Sequence, residues 1–267
     1  MSVRAEQGVP AWDRRGWADL RLGLMYRVGL IPFREMTSGV AAGSRFYAGP
    51  SNAEYGTGAN ELPVQSALAG QLRPGMTFFD VGANVGFFTV IGARLVGPSG
   101  KVFAFEPVAQ NAAHVRLNCR ANRLENVQVI VGAVGDVSGE GTLMRARYSG
   151  GAVLESAGKP PDFLRAESTR ILRLDDWVEA GTLPVPHAIK VDVEGAELQV
   201  LKGARETLAR HFPAVIFEVD GPDGTTVDVQ NSSCSEFLRS LGYSVTELQN
   251  SYPGIDWVVR HGLAVRA

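Results

Sequence analysis

Three carboxylate-bearing stretches could do chemistry. In "FFDVGANVGFFT" (78–89) Asp80 closes an apolar run and a glycine-bearing turn follows. In "FAFEP" Glu106 closes another apolar run, and in "IKVDVEG" Lys190, Asp192 and Glu194 alternate with Ile189, Val191 and Val193. A dinucleotide loop needs G-x-G-x-x-G, so that backbone at a helix N-terminus can press on a pyrophosphate. Counted from Gly82, the positions hold Gly82, Asn84 and Phe87, so two of the three glycines are missing. Asn84 tolerates a left-handed backbone. Phe87 stands where a small residue would let helix and sheet approach. Asp80 would repel a phosphate and accept hydrogen bonds from an ammonium, while Glu106 is placed to bind both hydroxyls of a ribose. The pocket asks for a ribose, a cationic group and close backbone approach, without a phosphate. S-adenosylmethionine, an adenosine joined to an amino-acid tail through a sulfonium, meets that description. Taken singly, Asp80 has a plainer reading as a helix cap, and Glu106-Pro107 as a strand exit before a helix.

Lys190, Asp192 and Glu194 begin on one face of a strand, although a strand covered on both sides is ordinarily apolar throughout. Burying charge is costly unless it is paired or used. Asp192 and Glu194 would border the transferred group, with Lys190 deeper and paired to a carboxylate. The alternative is an ionic network that only braces the sheet. Glu218 ends the next strand in "FEVDG", with Asp220 just beyond. Carboxylates at two adjacent strand ends could hold Mg²⁺, but nothing fixes such a geometry and no metal is expected. His114, His187, His211 and His261 are scattered and read as packing or surface residues; His187 or His261 could also approach a substrate.

For these side chains to meet, strands must alternate with helices. "MTFFDVG", "KVFAFEP" and "NVQVIVGAV" read as strands, separated by the helices "GFFTVIGARLVG" and "AQNAAHVRLNCRANRL". "GDVSGEGTLMRARYSGGA" reads as a Gly-rich hairpin and residues 155–170 as a surface loop. The strand "HAIKVDVEG", one helix "AELQVLKGARETLARHF" and the strand "AVIFEV" follow, and "CSEFLRSLGYSVTEL" with "IDWVVRH" closes as a helix and two strands. The alternation predicts an α/β fold with a mostly parallel sheet and helices on both faces. Ligands in such a sheet sit outside the carboxyl ends of the strands, at the switch point beside the first strand.

The 267 residues, 45% apolar and 20% charged, suit one large domain or a domain with an appended cap. A net charge of −2 gives no phosphate-tracking surface, so no nucleic acid is expected as partner. Cys119 and Cys234 lie far apart and read as reduced thiols of a cytosolic protein. The start carries no apolar stretch of a signal peptide, and no run of about 18 apolar residues spans a membrane, so the expected location is cytoplasmic. Residues 1–60 differ from 61–267. Trp12, Trp17, Leu20, Leu24 and Tyr26 recur at roughly helical spacing among Arg14, Arg15, Arg21 and Arg27, before a loop-rich stretch. A helix packed on its own domain is the ordinary reading; a cap, a homodimer arm or a membrane-surface helix are the others.

"FFDVGANVGFFT", "FAFEP", "IKVDVEGAELQVLKGA" and "VIFEVDG", in that order, resemble the FkbM-type methyltransferases, from about Glu61 to Val219. "GTGANELP" is similar to that family's Y-G-x-x-E opening segment. The resemblance implies a Rossmann-like class I methyltransferase fold with a seven-stranded sheet, over 61–267, and S-adenosylmethionine as methyl donor. It implies donor binding by Asp80, Gly82, Ala83, Asn84, Gly86, Thr89, Glu106, Pro107, Ala133 and Asp192. Lys190, Asp192, Glu194 and Gly195 match the K-x-D-x-E-G signature near the methyl group, which makes Asp192, Glu194 and Lys190 the catalytic candidates. One departure is Gly132-Ala133, where relatives often carry Asn-Ala, so contacts to adenine there fall to the backbone. The acceptor class implied is a small-molecule hydroxyl of a sugar, glycolipid or polyketide-type metabolite. No Asn-Pro-Pro-Tyr type motif for amino-group methylation is present. The rivals are an NAD-dependent oxidoreductase, which would need the missing glycines, and a non-catalytic S-adenosylmethionine-binding module.

Overall fold

Apolar runs that can be buried on both sides become the central strands, and the chain between them supplies their covers. The computed structural model describes residues 16–49, 53–147, 152–160 and 162–267; Trp12, Arg14 and Arg15 lie outside the described residues. In chain order the elements are α1 (Trp17–Arg27), β1 (Arg34–Glu35), β2 (Arg45–Phe46), α2 (Leu62–Gln71), β3 (Thr77–Val81), α3 (Phe87–Val96), β4 (Lys101–Glu106), α4 (Ala109–Ala121) and β5 (Val127–Val131). Then come β6 (Ala133–Val134), β7 (Gly139–Ala146), β8 (Ala152–Leu154), β9 (Phe163–Leu172), α5 (Leu174–Glu179) and β10 (Ala188–Val191). The last are α6 (Glu197–Gly203), α7 (Arg205–His211), β11 (Ala214–Gly221), α8 (Gly224–Ser240), β12 (Tyr243–Glu247) and β13 (Val258–Arg266).

The main sheet has seven strands in the order β12-β13-β11-β10-β3-β4-β5. Neighbours from β11 to β5 are parallel, and β13 runs antiparallel to both β11 and β12. The strand order reverses between β3 and β10, which opens a crevice at the carboxyl ends there. Strand alternation feeds two cores. Phe79, Phe105, Ile189 and Phe217 pack with Val200, Leu208 and Leu238 on one face. Phe78, Val102, Ala188 and Ile216 pack with Leu68, Val90 and Ile91 on the other. The mostly parallel sheet with helices on both faces is the expected architecture.

The N-terminal segment enters the second core through Met36, Ala41 and Phe46. Asn118 of α4 and Asn122 just past its end tie it down by bonding the backbones of Tyr47 and Arg45. Helix α1 lies against α4, where Asp19 pairs with Arg116 at 3.1 Å. Its Trp17, Leu20 and Leu24 stay exposed, Trp17 at 89%. Among the described residues no helix is long and apolar enough to cross a membrane.

Four sequence expectations need correction. Residues 155–170 are not all loop, because Phe163–Leu172 forms a ten-residue strand. Most of its residues stay exposed or half-buried in a second sheet, ordered β6-β9-β7-β8, where the ladder to β7 holds it. The third strand does not run through to Val134; it stops at Val131, and Ala133–Val134 joins the second sheet. The helix after β10 is two helices, broken at Ala204. The strand carrying Lys190 ends at Val191, so Asp192 and Glu194 are not strand residues. Glu194 turns away in a left-handed conformation, φ 58°, so the alternation of charge does not continue as one stripe.

Candidate active site

At the carboxyl ends of β3, β4, β10 and β11 a cleft encloses about 860 Å³, its open mouth included. Its two ends differ. One is bordered by Gly82, Asn84, Glu106, Pro107 and Ala133, and the other by Glu61, Asp192, Glu194, Glu218 and Tyr252.

The loop after β3 builds the first end. Gly82 has φ 84°, and a Cβ there would collide with the carbonyl oxygen of Asp192, so only glycine lets these two chain segments approach. Asn84 is left-handed, φ 49°, as its side-chain type allows. The amides of this loop are already spent: Gly82 and Ala83 both donate to the Phe105 carbonyl at 3.0 Å, and Asn84 donates to Glu106 Oε2 at 2.8 Å. A pyrophosphate would find no free cradle at these three positions. Glu106 takes a second amide, from Val108, on Oε1 at 2.8 Å. With the Asn111 side chain as a third donor, the carboxylate still keeps acceptor capacity for a ribose hydroxyl. Burial pushes the Glu106 carboxyl up to about 7, against the pull of the Val108 and Asn84 amides. Val134, Leu143 and Leu154 line the wall beyond Ala133, an apolar slot suited to a planar base. These residues fit an adenosine.

Asp80 and Lys190 sit behind the lining. They are register partners on β3 and β10, both buried. The Thr89 hydroxyl donates to Asp80 Oδ2. Burial raises the Asp80 carboxyl to about 6, opposed first by Lys190. Asp80, Thr89, Ala83 and Gly86 do not line the cleft; they brace the loop that does. Lys190 bonds Asp192 Oδ2 at 2.7 Å and lies 4.6 Å from the centre of the Phe88 ring. Burial pulls the Lys190 ammonium down, but Asp192, Glu61, Glu218 and Asp80 outweigh it and keep it above its ordinary value.

At the second end the antiparallel strand matters. Register places His261 of β13 opposite Glu218 of β11, and His261 Nε2 meets Glu218 Oε2 at 2.7 Å. Burial, then Lys190, lowers the imidazole to about 4. Burial raises Glu218 well above the carboxylate range, reinforced by Asp192 and Glu61. Burial likewise raises Glu61 against the pull of Lys190, and it raises Glu194, with Asp220 and Asp192 adding repulsion. Asp220 accepts the Trp257 indole N–H at 2.6 Å. His187 accepts the Thr77 amide at the opposite end of the sheet.

Three contributors carried no usable sequence signal for this site. Glu61 precedes α2 with φ 50°. Tyr252 comes from the loop between β12 and β13 and donates to Glu61 Oε1 at 2.8 Å. Glu197 accepts the Gly195 and Val193 amides, fixing the turn that carries Glu194. The "GTGANELP" likeness includes Glu61 and the "IKVDVEGAELQVLKGA" motif includes Glu197, but neither assigned them a role, and nothing pointed to Tyr252.

Comparison with known proteins identifies the family. The family model described as "Methyltransferase FkbM domain" matches residues 80–245. The 31-O-demethyl-FK506 methyltransferase FkbM of Streptomyces tacrolimicus is 29% identical over 207 residues, 67% of this chain and 77% of that protein. The hexuronic acid methyltransferase AglP of Haloferax volcanii is 30% identical over 135 residues, 49% of this chain and 50% of its own. The crystal structure of Methyltransferase FkbM from Methylobacillus flagellatus KT has a TM-score of 0.50 at 16% identity, covering 79% of this chain and 52% of that one, a likeness of fold. With more than half of its length matched by that family model, and a class I sheet carrying the cleft, the chain belongs to the FkbM family of S-adenosylmethionine-dependent methyltransferases.

Proposed function

We propose that this methyltransferase O-methylates a hydroxyl of a small molecule of the sugar, glycolipid or polyketide class. The observation that carries the reading is the single cleft with two unlike ends: an adenosine-shaped end around Glu106, and an end crowded with carboxylates where an acceptor hydroxyl would be held. The relatives named for acting on 31-O-demethyl-FK506 and on hexuronic acid support the acceptor class.

When bound, the donor supplies an electrophilic methyl group on a sulfonium, so that a hydroxyl oxygen can form the C–O bond as the C–S bond breaks and its electrons stay on sulfur. The chain's own work is to bind, orient and take a proton. Glu106 anchors the ribose and the Gly82–Asn84 turn lets the donor lie close to backbone. Asp192, at the cleft wall, takes the hydroxyl proton as general base. Lys190 is a positioning residue that holds Asp192 by its 2.7 Å contact. Glu218 and Tyr252 orient the acceptor from the far wall.

The test is methyl transfer from labelled S-adenosylmethionine to a panel of hexuronic acids, neutral sugars and macrocyclic polyketide alcohols, with products fragmented by mass spectrometry. A methyl ether in the product supports the reading. Methyl ester or N-methyl products only, or donor turnover with none of these classes, would overturn it.

A further inference from the structure

The acceptor end holds one group that methyl transfer by itself does not account for. Glu61 is 5% exposed, and its two oxygens are treated differently. Oε1 receives two donors, Asn60 Nδ2 at 2.6 Å and the Tyr252 hydroxyl at 2.8 Å. Oε2 is fully buried and receives none. It faces His261 Nε2 at 3.8 Å, which in turn lies 2.7 Å from Glu218 Oε2. One ligand atom from each of Glu61, Glu218 and His261 falls within 4.8 Å of the other two. A buried acceptor with no donor is costly unless something binds it, and Oε2 is held in place by the two donors on Oε1.

We propose that Glu61, Glu218 and His261 bind a divalent first-row transition cation at the acceptor end of the cleft. The donor set is two carboxylate oxygens and one imidazole nitrogen, a combination such cations take and one without the thiolates that would demand a softer ion. Bonds of about 2.1 Å put neighbouring ligand atoms about 3.0 Å apart around an octahedral centre and about 3.4 Å around a tetrahedral one. The His261 separations of 2.7 and 3.8 Å bracket both values, and the third pair lies within 4.8 Å, so small side-chain movements would bring the three atoms onto one ion. Asn60 and Tyr252 play the part of outer groups that orient a ligating carboxylate. The one buried lysine among the described residues, Lys190, is in contact with Asp192 and not with Glu61 or Glu218. His261 itself rests against the sheet, whereas Glu61 and Glu218 line the cleft, so the free coordination positions face the acceptor.

This site rests on the O-methylation reading for its role. An acceptor hydroxyl bound to the cation becomes more acidic and gives its proton more readily to Asp192. An acceptor with a second oxygen beside that hydroxyl would chelate, so the site selects for vicinal diols and 2-hydroxy acids.

The test uses the full-length chain stripped of metal with a chelator, titrated with Mn²⁺ and followed by electron paramagnetic resonance. The expected result is saturation at one Mn²⁺ per chain, a nitrogen coupling in the pulsed spectrum, and displacement by Zn²⁺. Tyr252→Phe, which removes only the hydroxyl that orients Glu61, should weaken Mn²⁺ by about 10–100-fold. His261→Gln should abolish the nitrogen coupling. Absence of saturable binding by the wild type overturns the proposal, as does unchanged Mn²⁺ affinity in Tyr252→Phe or a wild-type spectrum without nitrogen coupling. Should His261→Gln fail to fold, the wild-type nitrogen signal decides alone. Methyl transfer is measured alongside. Ether formation that survives metal stripping, with no Mn²⁺ bound, removes the cation site and leaves the reaction; Mn²⁺ binding with no ether product removes the reaction and leaves the site.

Discussion

The two ends of the cleft solve opposite problems. Around Glu106 the amides of the turn are engaged: Gly82 and Ala83 donate to the Phe105 carbonyl, and the carboxylate takes the Asn84 and Val108 amides. Around Glu61 and Glu218 carboxylates crowd into a buried space with an unpartnered oxygen on Glu61 and an unpartnered ring nitrogen on His261. The first end is a preformed socket assembled by neighbours in sequence. The second is assembled by residues up to two hundred positions apart and stays electrostatically unsettled until something enters. A constant ligand suits the first arrangement. Catalysis and acceptor choice suit the second, because groups held away from their resting charge state are the ones that can exchange a proton.

Substitutions at each end should therefore fail differently. The largest effect is expected from Asp192→Asn, which should lower turnover by about 10²–10⁴-fold while calorimetry shows donor affinity little changed; an equal loss in both would merge the two ends into one site. Glu106→Ala should weaken S-adenosylmethionine by about 100-fold or more, since each hydrogen bond to a charged group contributes about 1.5–3 kcal/mol. A thermal-shift titration reads this, and a retained shift would place the ribose elsewhere. NAD should give no shift with the wild type.

Next in size is Gly82→Ala. The added Cβ meets the Asp192 backbone and the left-handed conformation is lost as a comfortable state, so stability should fall by about 3 kcal/mol, or roughly 6–12 °C in Tm for a chain of this size.

The pH response sharpens the contrast further. Glu106 and Glu197 stand at about 7, and Asp80 at about 6, against ordinary values of 4.5, 4.5 and 3.8. With the folded value above the unfolded one, the folded state binds protons more tightly. The contribution of these groups is present at low pH and is lost as pH rises through 6 to 7. The ligand-free protein should melt higher at about pH 6 than at about pH 8. Donor affinity should move the other way, because a protonated Glu106 gives up acceptor capacity. Matching trends in both measurements would remove Glu106 from the donor site. The smallest effect is expected at α1: Trp17 is 89% exposed, so Trp17→Ser should change stability by about 0.5 kcal/mol or less in a denaturant titration.

The socket was readable because its parts are local. Asp80, Gly82, Asn84 and Glu106 sit at the ends of apolar runs, and strand length plus turn chemistry place those ends at the crevice. Two candidate residues, Asp80 and Glu194, changed place in three dimensions. Asp80 faces Thr89 and Lys190 rather than the cleft, and Glu194 leaves its strand through a left-handed turn. The alternation rule holds only while a strand continues, and β10 stops at Val191. The segment 155–170 misled for a related reason. Its strand is held by pairing with β7, so it lacks the apolar pattern that marks a buried strand.

Residue order was enough for the α/β fold and the glycine-bearing turn after the first core strand, since buried parallel strands and turns leave local patterns along the chain, and its ordered motifs carried the resemblance to the family. Tertiary structure alone decided the carboxylate-rich end of the cleft. Glu61, Glu218, Tyr252 and His261 become neighbours only because β13 inserts antiparallel beside β11 and lays His261 against Glu218, and no spacing along the chain encodes a contact whose partners are chosen by sheet order.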